Sequence, residues 1–105
     1  MTAKEFIATI PERAKHKDLS GLETVLHFKI NGEKGGDFTI EVKDEKIITH
    51  EGLTGIPKCT IQGKDTHFEN ILKGNLNPMM AVLTGKIKVD NKGELLKYAS
   101  LIGLM

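Results

Sequence analysis

Apolar and polar residues alternate along two neighbouring stretches of the chain, and this alternation constrains the fold more than any other feature. Apolar residues occupy every second position of 26–30 and again of 38–42, and the polar, glycine-rich stretch 31–37 lies between them. A period of two places the apolar side chains on one face of a β-strand. The two stretches therefore predict a β-hairpin with one buried face and one face in water.

Shorter alternating runs predict three further strands. A turn at Asp44-Glu45 leads into a third strand near 46–51. A loop that contains glycine and proline precedes a fourth strand at 59–62, and a fifth strand covers 86–90.

Before the strands, the N-terminus has the pattern of a helix. Thr2 and Glu5 form a T-x-x-E capping box ahead of an apolar stripe at 6–10. Because proline lacks the backbone N–H, Pro11 is expected to interrupt this helix and to start a short second helix that reaches about Lys17.

Helical spacing returns in the second half of the chain. Asp65 or Thr66 is expected to cap a helix that ends at Gly74. An asparagine–proline pair starts a short helix over 79–84, and a last helix covers 94–102. Strands followed mainly by helices predict an α+β fold with the helices on one face of the sheet.

Composition excludes several classes of protein. The 105 residues fit one domain, 1–105, and 15 basic against 14 acidic residues give a net charge of +1. A nucleic-acid partner is not expected, because the charge is nearly balanced and only 5% of the residues are aromatic. One cysteine excludes an internal disulfide, and the N-terminus lacks the pattern of a signal peptide. We expect a soluble, cytoplasmic protein with at most transient membrane contact.

Motifs for catalysis or metal binding are not found. Gly85-Lys86 lacks the spacing of a phosphate-binding loop, and the four histidines are scattered without metal-ligand spacing. Cys59 alternates onto the apolar face of its strand, which favours a buried hydrophobic role over a nucleophile. The sequence therefore predicts no enzyme, no cofactor and no metal.

The methionine-rich stretch 77–83 is apolar nearly all round. A helix of this kind is expected to be covered on both sides. Two interpretations remain open from the residues alone. The stretch is either ordinary core, or the adaptable wall of a lipid cavity.

Three motifs resemble one known family. The stretch 28–40 has a strand ending in I-N-G, then a double glycine and an aromatic-led strand, F-T-I. The stretch 60–74 has T-I, an acidic turn and F-x-x-I-L-x-G, and 74–89 contains G-N-L-N-P and A-V-L-T-G-K-I-K-V. Together they resemble the sterol carrier protein 2 (SCP-2) domain family of non-specific lipid-transfer proteins, over about 6–102. The chain departs from the family at turns, for example with Asn75 where lysine is usual.

The resemblance implies a five-stranded, mostly antiparallel sheet covered on one face by helices, with an apolar ligand tunnel. It also implies a carrier that binds a fatty acid, a fatty acyl-CoA or a sterol-like lipid and transfers it without catalysis. One alternative is an accessory module that presents an acyl group to a partner enzyme. Another is a small acyl-CoA thioesterase that uses His67 or Asp65.

Candidate ligand-binding residues lie in the last two-fifths of the chain, where Tyr98 is also a candidate for contact with a ligand head group. The full set is Phe68, Ile71, Leu72, Leu76, Met79, Met80, Leu83, Leu95, Tyr98, Leu101 and Ile102.

Two further expectations concern the surface. Among the lysines of this part of the chain, Lys88 and Lys97 are candidates to bind an anionic head group, although solvated lysines are the commoner case. The apolar C-terminus, 101–105, is expected to act as a lid over the tunnel or to pair with a second copy, so that the protein is a monomer or a weak homodimer.

Overall fold

The computed structural model describes residues 2–102. Within these residues, five strands and four helices follow one another. In order they are α1 (Ala3–Arg13), β1 (Thr24–Asn31), β2 (Gly36–Lys43), β3 (Lys46–Glu51), β4 (Cys59–Lys64), α2 (Asp65–Leu72), α3 (Pro78–Leu83), β5 (Ile87–Val89) and α4 (Lys92–Ile102).

The five strands form one sheet in the order β3-β2-β1-β4-β5. The central pair, β1 and β4, is parallel, and the other three pairs are antiparallel. The predicted α+β fold with a mostly antiparallel sheet is confirmed. The parallel pair requires a crossover, because β3 and β4 lie on opposite sides of the β1–β2 hairpin.

Buried apolar side chains mark the inner face of the sheet. The register places Leu26 of β1 between Ile40 of β2 and Cys59 of β4, and all three are fully buried. Each of the four helices contributes at least one apolar side chain to the same core cluster. The helices therefore cover this face, as the sequence predicts.

The outer face of the sheet is only partly in water, because the crossover from β3 to β4 packs over it. His27 Nε2 lies 2.8 Å from the carbonyl oxygen of Thr54. The hydroxyl of Thr39 donates to the carbonyl oxygen of Gly52 and accepts from the N–H of Thr54. These bonds satisfy two polar side chains that the alternation places on the wet face and that the loop buries.

The predicted break at Pro11 is wrong. Pro11 lies inside α1, whose capping box at Thr2 and Glu5 is present as predicted. Proline removes the bond that its own N–H would make to Ile7, but the helix continues past it, since the N–H of Ala14 still donates to the carbonyl oxygen of Ile10. The helix ends two residues after Pro11, at Arg13, and no second helix starts there.

The predicted cap of α2 is also wrong. The N-cap is Lys64, without a side-chain cap bond, because β4 runs directly into the helix. Asp65 instead joins α2 to the β1–β2 turn, since its carboxylate accepts from the backbone N–H groups of Lys34 and Thr66. At α3 the asparagine cap is confirmed, because Asn77 Oδ1 accepts from the N–H of Met79 at 2.8 Å.

Candidate lipid-binding site

A small apolar cavity lies where α1, β1 and α2 meet on the inner face of the sheet. Its volume is about 20 Å³. The lining consists entirely of apolar residues: Ala3, Phe6, Ile7, Ile10, Phe28, Ile30, Phe68 and Leu72.

Sequence periodicity places each of these side chains on the buried face of its own element. The α1 residues recur at helical spacing on one face, and Phe28 and Ile30 are successive inner-face residues of β1. On α2, Phe68 and Leu72 are four residues apart and therefore share one face of the helix. Three elements from distant parts of the chain thus converge on one apolar space.

The ring of Phe68 forms one wall. It meets Phe28 edge to face, with the ring centroids 6.5 Å apart and the planes at 62°. Gly63 of β4 leaves room for this ring, because a Cβ atom there would lie 3.3 Å from Phe68 Cε2 and 2.6 Å from Ile87 Cδ1. The glycine therefore allows α2 and β5 to pack closely on the sheet.

In this state the cavity is too small for a lipid. One water molecule needs roughly 10–15 Å³, whereas ligand pockets commonly measure about 300–1,000 Å³. Enclosing a lipid chain in this cavity would therefore require α1 or α2 to move away from β1. The open tunnel implied by the resemblance is not present in this structure.

Of the predicted ligand-binding residues, Phe68 and Leu72 line the cavity. Tyr98 is fully buried, and its hydroxyl donates to the carbonyl oxygen of Glu23 at 3.3 Å. Four others are half-buried and packed against the core: Ile71, Leu76, Leu95 and Leu101.

Three further predicted residues do not reach the cavity in this structure. Met79, Met80 and Leu83 are exposed on α3, which turns Ala81 towards the core. Within residues 2–102, α3 is thus covered on one side only, in contrast to the expectation for a helix apolar all round. The side chain of Ile102 and residues 103–105, with the expected lid or dimer contact, lie outside the described residues.

Six residues of the cavity wall were not assigned to a site from the sequence. The apolar stripe at 6–10 and the alternation of β1 identify all of them except Ala3 as buried. No local pattern shows that these two elements face α2, because more than fifty residues separate α1 from α2. The missed residues are Ala3, Phe6, Ile7, Ile10, Phe28 and Ile30.

Three chemically reactive side chains form hydrogen bonds with backbone groups. Cys59 is fully buried, its Sγ lies 3.3 Å from the carbonyl oxygen of Asn91, and burial raises the pKa of its thiol to about 11. His67 Nδ1 lies 3.2 Å from the carbonyl oxygen of Lys86, and Asp65 accepts from backbone N–H groups. Across the part of the chain that the structure describes, no group of three or more histidine, cysteine or acidic residues is placed to hold a metal ion. None of its helices is long and apolar enough to cross a membrane.

The two lysines expected at a ligand head group lie in different places. Lys88 lines a polar groove of about 190 Å³ on the outer side of β4 and β5, together with Lys64, His67 and Lys86. Lys97 is on α4, with its Nζ 5.6 Å from the centre of the Tyr98 ring. The structure therefore groups Lys88 with other cations but not with Lys97.

Comparisons with known proteins agree with this fold. Residues 3–102 match the model of the SCP-2 sterol transfer family. The structure superimposes on palmitated SCP2L2 from Aedes aegypti with a TM-score of 0.77 at 19% identity, covering 98% of this chain and 96% of that one. It also superimposes on part of the sec-alkylsulfatase Pisa1 from Pseudomonas sp., with a TM-score of 0.76 at 18% identity, covering 100% of this chain and 16% of that one.

A curated relative is hydroxysteroid dehydrogenase-like protein 2 from Xenopus laevis, 22% identical over 97% of this chain. The chain spans about a quarter of the length of that relative, since 25% of it is covered. The match to the family model covers all four helices and all five strands. The resemblance seen in the sequence motifs is therefore confirmed, and the chain belongs to the SCP-2 sterol transfer family.

Proposed function

We propose that this protein carries a lipid by enclosing its hydrocarbon chain in a widened form of the cavity between α1, β1 and α2. The observation that carries the proposal is the wholly apolar lining of this cavity at a junction of three elements. Each methylene removed from water contributes about 0.8 kcal/mol, so a long chain can bind there without polar contacts. Such a site distinguishes ligands by the length and shape of the hydrocarbon chain more than by their polar groups.

Widening the cavity requires α1 or α2 to separate from the sheet. At the surface, α1 is joined to β3 by an ion pair between Lys4 and Glu51, at 3.1 Å, and both side chains are well exposed. Exposed ion pairs contribute only about 0–1 kcal/mol, so this link is a weak restraint. The main cost of opening is the loss of packing between apolar side chains, which the bound lipid chain replaces.

The comparisons support the proposal at the level of the family. The family is described as one of sterol transfer, and one structural neighbour was solved in palmitated form. We propose a fatty acid, a fatty acyl-CoA or a sterol-like lipid as the ligand, carried unchanged and in the cytoplasm. We propose that the half-buried candidates Ile71, Leu76, Leu95 and Leu101 extend the wall when the cavity widens.

Titration with a fluorescent fatty acid tests this proposal. Leu72→Gln places an amide on the cavity wall and is expected to weaken binding at least tenfold, because the buried amide loses its hydrogen bonds with water. Ile47→Gln is the matched control, since Ile47 is also half-buried against the core but lies on β3 away from the cavity. No binding by the unmodified protein, or equal weakening in both variants, would contradict the proposal.

A second function is favoured by the two longer proteins. In both the dehydrogenase-like relative and the alkylsulfatase, the matching segment is a minor part of a much longer chain. The alternative is therefore an accessory module that presents a bound acyl group to a partner enzyme. Lipid transfer between vesicles by the purified protein alone favours the carrier, whereas transfer only in the presence of an acyl-CoA enzyme favours the module.

A further inference from the structure

One edge of the sheet is formed by β3, which pairs only with β2. In an antiparallel pair, successive residues direct their backbone groups alternately towards the paired strand and away from it. Lys43 and Lys46 flank the two-residue turn, and beyond the other end of β3 the N–H of Gly52 donates to the carbonyl oxygen of Asp37. The even-numbered residues of β3 therefore bond to β2, and the odd-numbered residues direct their backbone groups outwards.

The residues of β3 with outward backbone groups are Ile47, Thr49 and Glu51. Each has one N–H and one C=O group at the edge, and none of these groups has a backbone partner among residues 2–102. A further strand could pair with all of them, because they alternate along the edge as in a regular antiparallel ladder.

The usual protection of an edge strand is largely missing from β3. Native edge strands are commonly short, bulged or interrupted by proline. β3 has six residues, none of them proline, and its pairing with β2 runs from 46 to 51 without a bulge. The opposite edge of the sheet is β5, which has only three residues. Of the two edges, β3 is therefore the one suited to receive another strand.

Open space adjoins the β3 edge along its length. A groove of about 470 Å³ borders 46–48, and residues of 11–19 form its other wall. A second groove, of about 210 Å³, borders 49–51 beside the N-terminal half of α1. Both ends of the strand are therefore accessible.

We propose that β3 pairs antiparallel with β3 of a second copy of this chain, around a two-fold axis at Thr49, so that two sheets become one. An interface with two-fold symmetry must be self-complementary, because the same groups meet from both sides. The register with Thr49 opposite Thr49 of the second copy meets this condition. It pairs Ile47 of each copy with Glu51 of the other and uses every outward N–H and C=O group of both strands.

Charge beside the edge favours a second copy in this register. The side chains that line the larger groove with Ile47 include three lysines and two acidic residues: Lys15, Lys17, Lys46, Asp18 and Glu45. Glu51 of the second copy lies opposite Ile47 and therefore enters a groove with an excess of positive charge. A shift of the second copy by two residues would instead bring its Glu51 beside Glu45, and like charges facing each other are destabilising. The inference goes beyond the proposed lipid carriage and is independent of it, because no residue of β3 lines the apolar cavity.

Sedimentation velocity at increasing protein concentration tests the proposal, and the unmodified protein is expected to form a dimer. Thr49→Pro removes the N–H group at the two-fold axis and is expected to abolish the dimer. Proline is tolerated in an edge strand where the N–H points away from the sheet, so the monomer should still fold. Thr49→Val is the matched control, since it keeps the N–H group, and it is expected to dimerise like the unmodified protein.

Glu51→Lys tests the charge and is expected to weaken self-association roughly tenfold or more, because the reversed charge meets the lysines at two symmetric places. Glu51 also pairs with Lys4 of its own chain, but this exposed ion pair contributes little to stability. Glu33→Lys makes the same change of charge on the exposed β1–β2 turn and is expected to have little effect.

Cysteine cross-linking with a short bismaleimide tests the register, with Cys59→Ala in every variant. Thr49→Cys is expected to join two copies, because the facing residues of a hydrogen-bonded pair have Cα atoms about 5.5 Å apart. Ile47→Cys is the control and is expected not to join, because the two copies of position 47 are separated by four residues along the strands, about 13 Å.

A monomer at every concentration would overturn the proposal. A dimer that both Thr49→Pro and Glu51→Lys leave unchanged, or equal cross-linking at positions 47 and 49, would also overturn it. Glu51→Lys and the cross-linking decide the outcome even where Thr49→Pro does not fold.

Discussion

Two phenylalanine rings meet edge to face at the wall of the apolar cavity, and a glycine opposite them leaves the space that they need. Phe68 is almost fully buried between Phe28 and the backbone at Gly63. A buried phenylalanine contributes both transfer free energy and close packing. Phe68 therefore helps to set the shape of the cavity.

Replacing Phe68 with alanine is expected to lower the free energy of unfolding by about 3–5 kcal/mol. It should also enlarge the cavity, so that the preferred fatty acid becomes longer. Phe38→Ala is the matched control, because Phe38 is equally buried but does not line the cavity. Denaturant unfolding and competition between fatty acids of different length measure the two effects. A similar shift in length preference in both variants would show that Phe68 has no special place in the site.

Cys59 gives a prediction about pH. Burial raises the pKa of its thiol from 9.0 to about 11 in the folded protein. Between these values the folded state binds more protons than the unfolded state, so stability falls as the pH rises through this window and is unaffected below it. Cys59→Ala is expected to flatten the fall in stability between pH 9.0 and about 11, as denaturant unfolding at each pH will show. An unchanged slope in the variant would contradict the proposed cause.

At the scale of elements, the β2–β3 hairpin contains a strained turn. Asp44 and Glu45 have φ values of 53° and 62°, in the left-handed region that favours glycine. Two successive residues of this kind form a type I′ turn, which matches the twist of the adjoining strands. The pairing of Lys43 with Lys46 on either side shows that the strands leave the turn in register. The hairpin therefore keeps its strand register, although two residues of its turn adopt φ values that are unfavourable for residues other than glycine.

Glu45→Gly is expected to stabilise the protein by about 1 kcal/mol, because glycine relieves the left-handed strain. The loss of the exposed contact between Glu45 and Ser20 subtracts only a little. Glu33→Gly is the control, since Glu33 is exposed in the β1–β2 turn but its φ is not positive. Thermal unfolding compares the two variants. Equal destabilisation by both would mean that the turn stores no strain.

For the whole molecule, ligand binding and stability are linked. The cavity measures about 20 Å³, so a lipid chain bound there would change the packing between the helical layer and the sheet. A ligand that binds only the folded state stabilises it by about 2.7 kcal/mol when present at 100 times its dissociation constant. The lipid should therefore act on the stability of the entire fold and not only on the helices that contact it.

A saturating fatty acid is expected to raise the melting temperature of the unmodified protein and to slow amide exchange most in α1 and α2. The rise should be much smaller in Leu72→Gln, because less ligand is bound. Calorimetry measures the first effect, and hydrogen exchange followed by mass spectrometry locates the second. Protection confined to β2 and β3 would place the ligand elsewhere.

Local patterns determined most of the secondary structure. Alternation identified the β1–β2 hairpin and the face of each strand that is buried, and the asparagine cap identified the start of α3. Sequence motifs also identified the family. The errors at Pro11 and Asp65 concern the ends of helices, where a neighbouring element decides which backbone groups find partners. Alternation and capping depend on residues only a few positions apart, so they can be recognised in the sequence alone.

Only the tertiary structure decided how distant elements meet. The parallel pairing of β1 with β4 brings together residues about thirty positions apart, and α1 meets α2 across more than fifty. The cavity lies where these elements converge, and six residues of its wall were not predicted from the sequence. The tertiary structure also leaves the apolar side of α3 exposed. Periodicity specifies that a side chain is buried. It does not specify against which partner, because burial is favoured equally by any apolar surface, and the shapes of all the elements together select one arrangement.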